Sequence, residues 1–264
     1  MSGTLLKAMA VNRSLFNQTV GYGTEGEVFR HEHVKWSYTG YSLSNYVFDL
    51  HFQEESVQDE VEAVLRTFQT KQASTTWIID PFCTPATITT VLDRYPRSDK
   101  GEFTAMALRM SDFSEHRQPP EDFSIQEATS QADLEVWGKV VCDGFGIGGA
   151  QAHEYQRLCV NAALASGPDF TFRQFVGFRA GKPICATSLL LDGAMAGIYW
   201  VTTIPEARRQ KAALTLLSHV LTLAQTQGYE WSVLQATPMG ANVYTILGFR
   251  EYYRETYFDG VTLP

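Results

Sequence analysis

The sequence predicts an α/β protein built on mixed sheets and divided into two successive units, residues 1–117 and 118–264. Three observations carry this. Short apolar, β-branched or aromatic runs alternate with amphipathic stretches along the whole chain. The order strand, helix, strand, short helix, strand occurs before residue 110 and again after Gly197, as an internal duplication would produce. Between the two copies lies the polar segment Ser111 to Ser124, whose adjacent Pro119 and Pro120 continue neither a helix nor a central strand.

The first unit opens with a helix over Leu5 to Phe16 and the glycine-spaced GYGTEGE, read as a packed but irregular lead-in with little functional content. VKWSYTG from Val34 and NYVFDLHF from Asn45 predict strands, parted by the turn-forming YSLSN. VQDEVEAVLRTFQ places Val57, Val61, Val64, Leu65 and Phe68 on one helical face. TTWIID predicts a strand, and TPATITTVLDRY a short helix with Thr84 as N-cap and Pro85 in its first turn. EFTAMALRM closes the unit as a strand. Trp77 of TTWIID parallels Trp231 of YEWSVLQ, each followed by a proline and a short helix.

In the second unit FSIQEAT predicts a strand and QADLEVWGKVVCDGF a helix with Leu134, Trp137, Val140 and Val141 inward. GIGG breaks it, and AQAHEYQRLCVNAALA forms a further helix. From Phe170 to Val201 three strands follow, joined at the hairpin turns Ala180-Gly181-Lys182 and Asp192-Gly193. Pro205 stops the last of them. LTLLSHVLTLA then sets Leu214, Leu217, Val220, Leu221 and Ala224 three and four residues apart, so a helix is expected to start near Glu206 to Arg208. WSVLQAT, a short helix over ANVYTIL, a Gly-Phe break and a strand through Phe258 complete the order.

The stretch Val201 to Ala213, VTTIPEARRQKAA, carries the most chemistry. The first turn of a helix leaves backbone N–H groups without internal partners, and with the dipole they favour an anion such as a diphosphate. Arg208, Arg209 and Lys211 fall in that turn, where cations oppose the dipole. A solvated basic helix end and an anion cradle both answer to this pattern. The corresponding stretch of the first unit, QEESVQDE, holds Glu54, Glu55, Asp59 and Glu60 and no glycine or arginine, and carboxylates there repel phosphate.

These residues resemble the GNAT superfamily of acyl-CoA-dependent N-acyltransferases. Arg208-Arg209-Gln210-Lys211-Ala212-Ala213 is similar to the family's Q/R-x-x-G-x-G/A after a strand ending V-x-x-x-P, fitting at its first and last positions with Lys211 at the middle glycine. About 30 residues on, Tyr244-Thr245-Ile246-Leu247-Gly248-Phe249 matches Y-x-x-x-G-F. The resemblance covers the second unit fully and the first loosely. It implies a complete GNAT domain over 118–264 and a truncated, degenerate GNAT-like domain over 1–117 that walls the acceptor cleft. It implies acetyl-CoA or another acyl-CoA as co-substrate and no metal. The backbone of Val201, Thr202 and Thr203 would hold the pantetheine and polarise the thioester carbonyl, and Arg208, Arg209, Gln210, Lys211, Ala212 and Ala213 would hold the diphosphate. Thr237 stands where many relatives place an asparagine on the cofactor. Tyr244 would return a proton to the leaving thiolate.

The expected activity is therefore transfer of an acetyl group to the amine of a small molecule or amino-acid-like acceptor by direct attack. A non-catalytic CoA-binding or scaffold protein is the alternative. No base for the amine stands out among His153, Glu154, Asp143 and Tyr199, and Cys142 and Cys159 read as core residues. The four cysteines lack metal or disulfide spacing, and they are expected to be reduced and buried. A net charge of −8 argues against nucleic acid or anionic lipid as partner and mildly favours a cationic amine. No apolar run is long enough for a membrane span, and MSGTLLKAMAVNRSLFNQ lacks a leader's apolar stretch, so a cytoplasmic protein is expected. A homodimer is left open. PEARRQK is no P-loop, no G-x-S-x-G is present, and GFGIGG (Gly144 to Gly149) follows a helix instead of a strand, so it reads as a loop and not as a dinucleotide motif.

Overall fold

The computed structural model describes residues 2–23, 25–114, 119–165, 170–193 and 195–264. Its first half runs α1 (Ser2–Thr19), β1 (Glu27–Arg30), β2 (Lys35–Tyr38), β3 (Tyr46–Phe48), α2 (Val57–Thr70), β4 (Thr75–Ile79), α3 (Ile88–Leu92) and β5 (Asp99–Arg109). The second runs β6 (Phe123–Glu127), α4 (Gln131–Phe145), α5 (Ala150–Ala163), β7 (Phe170–Arg179), β8 (Lys182–Asp192), β9 (Met195–Thr203), α6 (Ala212–Thr226), β10 (Trp231–Ala236), α7 (Ala241–Ile246) and β11 (Arg250–Val261). The division placed between residues 117 and 118 lies outside the described residues.

Among the described residues eleven strands form one sheet, ordered β1-β2-β3-β4-β11-β5-β10-β9-β8-β7-β6. The runs β1-β2-β3-β4-β11 and β7-β8-β9-β10-β5 have the same pattern, each with a single parallel pair, β3–β4 or β9–β10. The closing strands are exchanged. β5 of the first half pairs with β10, β11 of the second pairs with β4, and β5 and β11 pair with each other from Arg250↔Ala107 to Asp259↔Asp99. The sheet is thus continuous across both halves, and each half lends the other the strand beside its parallel pair.

Alternation along β5 separates two layers, because successive side chains of a strand point to opposite faces. Met106 and Leu108 pack in one cluster with α6 and α7, including Leu216, Leu217, Val220 and Tyr244. Ala105 and Ala107, on the other face, meet Met9 of α1. Helices α4 and α5 lie on the α1 side, over Val176 and Ala186. Helices α2 and α3 bury Val61, Phe68, Ile88 and Leu92 against Trp77 and Phe258. Each such large apolar side chain contributes about 1.5–3 kcal/mol by leaving water. Helix α4 is held at its start by a capping box between Ser130 and Asp133 and stopped by Gly146 in the left-handed conformation.

Several local expectations change. Helix α1 is longer than Leu5 to Phe16 and is no lead-in, since Met9, Asn12, Asn17 and Thr19 are fully buried. Strand β1 forms within the segment read as irregular. Helix α3 starts after Thr87 and not at Thr84, whose backbone is engaged by the strand region before α2. Trp77 forms the last β3–β4 rung, with Val47, whereas Trp231 forms the first β9–β10 rung, with Met195, so the two tryptophans are not at equivalent places. Cys142, Cys159 and Cys185 are buried and Cys83 is half-buried. No described helix is long and apolar enough to cross a membrane.

Candidate functional site

The second half's parallel pair opens. β9 and β10 are paired from Met195↔Trp231 to Gly197↔Val233, and beyond that rung no described pairing joins Tyr199–Thr203 to Gln235–Thr237. β9 also carries one extra residue against β8, between the Ser188↔Tyr199 and Ala186↔Thr202 pairs, with Trp200 at φ 48°. A bulge bends a strand and turns its peptide groups away from the ladder. Val201, Thr202 and Thr203, the residues assigned to the pantetheine, lie just past it. Thr202 is buried against α4 at Gly144, where a Cβ would stand 1.9 Å from the Thr202 hydroxyl oxygen, so only glycine fits.

The next turn differs from the expectation that a helix starts near Glu206 to Arg208. Pro205–Ala207 form one 3-10 turn, and α6 begins only at Ala212. Arg209 and Lys211 adopt left-handed backbone, with φ 60° and 66°. Lys211, at the middle-glycine position of the pattern it resembles, therefore holds a conformation that glycine adopts freely and that costs about 1–2 kcal/mol for a residue with a Cβ. The Arg208 N–H donates to the Pro205 carbonyl (3.3 Å), and the next such bond is from the Thr215 N–H to the Lys211 carbonyl (3.0 Å). Between them, the N–H groups of Arg209 through Leu214 find no acceptor among the described residues. This run of amides at the positive end of α6 suits a diphosphate.

The side chains of the turn divide by role. Arg208 donates from Nε to the Thr203 carbonyl (3.2 Å) and from Nη2 to the Gly144 carbonyl (2.8 Å), locking the end of β9 to α4. Gln210 accepts from Arg179 Nη1 (2.6 Å) and donates to the Glu206 carbonyl (2.9 Å). Arg209 and Lys211 are exposed and in no ion pair among the described residues. Ala212 is buried and Ala213 half-buried, the small side chains that let the first turn of α6 sit close to the sheet.

Tyr244 of α7 is buried in the same cluster as Ala212, Leu217 and Ala236, its ring edge-on to Phe249 at 6.1 Å. Burial pushes its phenol well above the ordinary tyrosine range, so it is held protonated. Its hydroxyl makes no hydrogen bond among the described residues, leaving a proton donor beside the start of α6. Thr237 is exposed, and its hydroxyl accepts from the Gly240 N–H (3.2 Å), capping the turn into α7.

The residues weighed as bases separate. Asp143 is held by Lys139 Nζ (2.7 Å), His153 is exposed on α5, and Glu154 is half-buried there. Burial raises the thiols of Cys142 and Cys185 to about 11 and about 12, which suits core residues and not nucleophiles. Tyr199 stacks on Phe16 (3.9 Å) and donates to Asn12 Oδ1 (2.7 Å). A group that sequence reasoning missed lies beside it: Arg13, Gln235, Tyr253 and the fully buried Glu255. Burial lifts the Glu255 carboxyl to about 7, against the pull of Arg13, whose Nε lies 3.4 Å away. The signal was present as polar residues on what proves to be the inner face of α1.

The first half treats its parallel pair differently. The β3–β4 ladder ends at Val47↔Trp77, and the chain then turns back into the gap: Thr84 N–H donates to the Leu50 carbonyl (2.9 Å) and the Thr84 carbonyl accepts from Phe52 N–H (2.9 Å). Helix α2 begins at Val57 with Asp59 and Glu60 in its first turn. Among the described residues of that half nothing reproduces the cationic turn before α6.

No family model and no curated protein matches the chain by sequence. Solved structures match it in fold. A GCN5-related N-acetyltransferase from Kribbella flavida superposes with a TM-score of 0.69 at 12% identity, over 95% of this chain and 94% of that one. A tandem GNAT protein from the clavulanic acid biosynthesis pathway gives 0.60 at 13%, over 97% and 93%. A GCN5-related N-acetyltransferase from Sphaerobacter thermophilus gives 0.59 at 13%, over 90% and 78%. Likeness at such identity fixes fold and not chemistry. The chain has the GNAT fold over most of its length, in a mixed sheet like that of a tandem GNAT protein.

Proposed function

We propose that this protein transfers an acyl group, acetyl in the simplest case, from acyl-CoA to the amine of a small molecule. The observation that carries the reading is the junction itself: a parallel pair that parts after Gly197–Val233 and leads straight to six consecutive unpartnered N–H groups, Arg209 to Leu214. Both fit an acyl-CoA, the opened strand for the amide-bearing arm and the turn for the diphosphate. The thioester supplies an activated carbonyl carbon with a thiolate as leaving group.

The chain's own residues supply the rest. Those backbone groups of Val201 to Thr203 that neither β8 nor Arg208 takes up orient the arm, Arg209 and Lys211 add charge at the mouth, and the amides of Arg209 to Ala213 hold the anion. Tyr244 holds a proton for the departing sulfur, and burial keeps that proton on the phenol until a thiolate forms. The reading keeps 118–264 as the working unit and 1–117 as the unit that walls the acceptor side and lends β5.

A second reading, CoA binding without turnover, draws on Arg208, whose guanidinium occupies the Thr203 carbonyl at the end of β9. Two measurements separate them. Saturating acetyl-CoA should raise Tm, since a ligand bound only by the native state stabilises it by mass action; no shift would remove both readings. Tyr244→Phe should lower thiol release from acetyl-CoA with an amine panel while leaving acetyl-CoA affinity nearly unchanged. Equal rates would reassign the acid, and thiol release undetectable in the parent would favour the second reading.

A further inference from the structure

On the face of the sheet under α1, polar side chains from both halves are sealed from water. Glu255 of β11 is fully buried, and Arg13 of α1 is 8% exposed. Arg13 Nε stands 3.4 Å from Glu255 Oε2, outside hydrogen-bond geometry. No atom of the Glu255 carboxylate, the Gln235 amide or the Tyr253 hydroxyl has a partner in good hydrogen-bond geometry among the described residues, although Arg13 and Gln235 lie close enough to Glu255 to favour its charged form. Buried polar groups of a native fold are normally satisfied, and this many together mark a place that a polar ligand completes.

Register brings them together. Gln235 and Tyr253 both stand opposite Ala105, from the two strands flanking β5, and Glu255 lies two residues further along β11 on the same face. Gln235 is also two residues past the last β9–β10 rung, as Tyr199 is on β9, so the cluster borders the mouth of the opened pair. Asp80, just after β4, is the other carboxylate acting on Glu255, and Arg13 is the cation acting on it.

We propose that this cluster is the acceptor site of the transfer described above, on which reading it rests, and that it takes a small primary amine arriving as the ammonium ion. The three N–H groups of an ammonium match the acceptors present: the Glu255 carboxylate, the Gln235 carbonyl oxygen and the Tyr253 hydroxyl oxygen. Glu255 then removes one proton. One N–H bond breaks, its electron pair stays on nitrogen as the lone pair, and an O–H bond forms on the carboxylate. Burial raises the Glu255 carboxyl to about 7, which lets it accept that proton at neutral pH.

The test titrates the full chain with n-propylamine, with n-propanol as the uncharged control and acetyl-CoA in a separate arm, followed by calorimetry and Tm. Propylamine is expected to bind and raise Tm, and propanol to do neither. Glu255→Gln and Tyr253→Phe should each weaken propylamine by about tenfold with acetyl-CoA affinity unchanged. Tyr253→Phe deletes only a hydroxyl with no described protein partner, so its fold is not at risk. A parent protein that binds acetyl-CoA but ignores propylamine overturns the acceptor site, as do variants that bind propylamine like the parent. Failure of acetyl-CoA to bind strikes the transfer reading instead, and the propylamine arm still decides the amine site by itself.

Discussion

The two parallel strand pairs of this sheet have the same neighbours and opposite fates. Between β9 and β10 the ladder stops and no described residue pairs across the gap; between β3 and β4 the chain's own Thr84 backbone pairs with Leu50 and Phe52. The helix beyond each gap follows suit. Helix α6 is preceded by Arg208, Arg209 and Lys211 on a turn with unpartnered amides, whereas α2 places Asp59 and Glu60 in its first turn, the ordinary way to complement a helix dipole. The difference teaches that one topology can close such a gap with its own backbone or leave it unpaired among the described residues, and that in the second case backbone groups are left over.

The strand exchange predicts that the halves are not independent despite these different fates. Phe258 of β11 is fully buried in the cluster of α2 and α3, in the other half. Phe258→Ala should cost about 3–5 kcal/mol. Urea unfolding followed by far-UV circular dichroism and by tryptophan fluorescence should still give one coincident transition. Two separated transitions would break the picture of one shared sheet.

Next in size is the polar centre where the halves meet. The Glu255 carboxyl is raised from 4.5 to about 7, so the native state binds its proton more tightly than the unfolded chain does. Stability from this group is therefore fully present below pH 4.5 and is lost as pH rises through about 7, by roughly 3 kcal/mol. Asp80, also raised by burial, acts in the same direction. Glu255→Gln should flatten that part of the stability curve measured by denaturant midpoints across pH; an unchanged slope would show that Glu255 is not the group responsible.

Copying the chemistry of α2 onto α6 sharpens the contrast more gently. Arg209→Glu with Lys211→Glu, at two exposed positions without described ion pairs, should weaken acetyl-CoA binding by about tenfold at low salt and by less at high salt. An affinity indifferent to both changes would remove the anion cradle. The smallest effect is expected from Lys211→Gly. Releasing the left-handed strain at φ 66° outweighs the entropy of an added glycine by about 0.5 kcal/mol, seen as a small rise in Tm. A fall in Tm would mean that the lysine side chain contributes more than its backbone costs.

Much of this was legible before any coordinates. The core positions of α2, and Leu217, Val220, Leu221 and Ala224 of α6, followed from three- and four-residue spacing, which missed Leu216 and placed the half-buried Leu214 inside; the hairpin at Ala180-Gly181 followed from its residues, both of which take positive φ. The Arg208–Ala213 turn stood out because three cations gather where a helix designed for stability places acids, and Tyr244 stood out only through the resemblance of residues 244–249 to Y-x-x-x-G-F. Helix α1 was harder, since its buried face carries Asn12, Arg13 and Asn17, and an apolar-periodicity reading discards such a face.

The sequence by itself determined the elements other than β1, their order and the short motifs, because helical and strand periodicity and turn chemistry act over a few residues. Tertiary structure alone decided that β5 and β11 change places, that one gap is filled by Thr84 and the other left open, and that Glu255, Gln235, Tyr253 and Arg13 converge. These depend on which strand lies beside which, over separations of a hundred residues and more. Pairing at that range is set by the whole packed sheet and leaves no periodic trace in the chain.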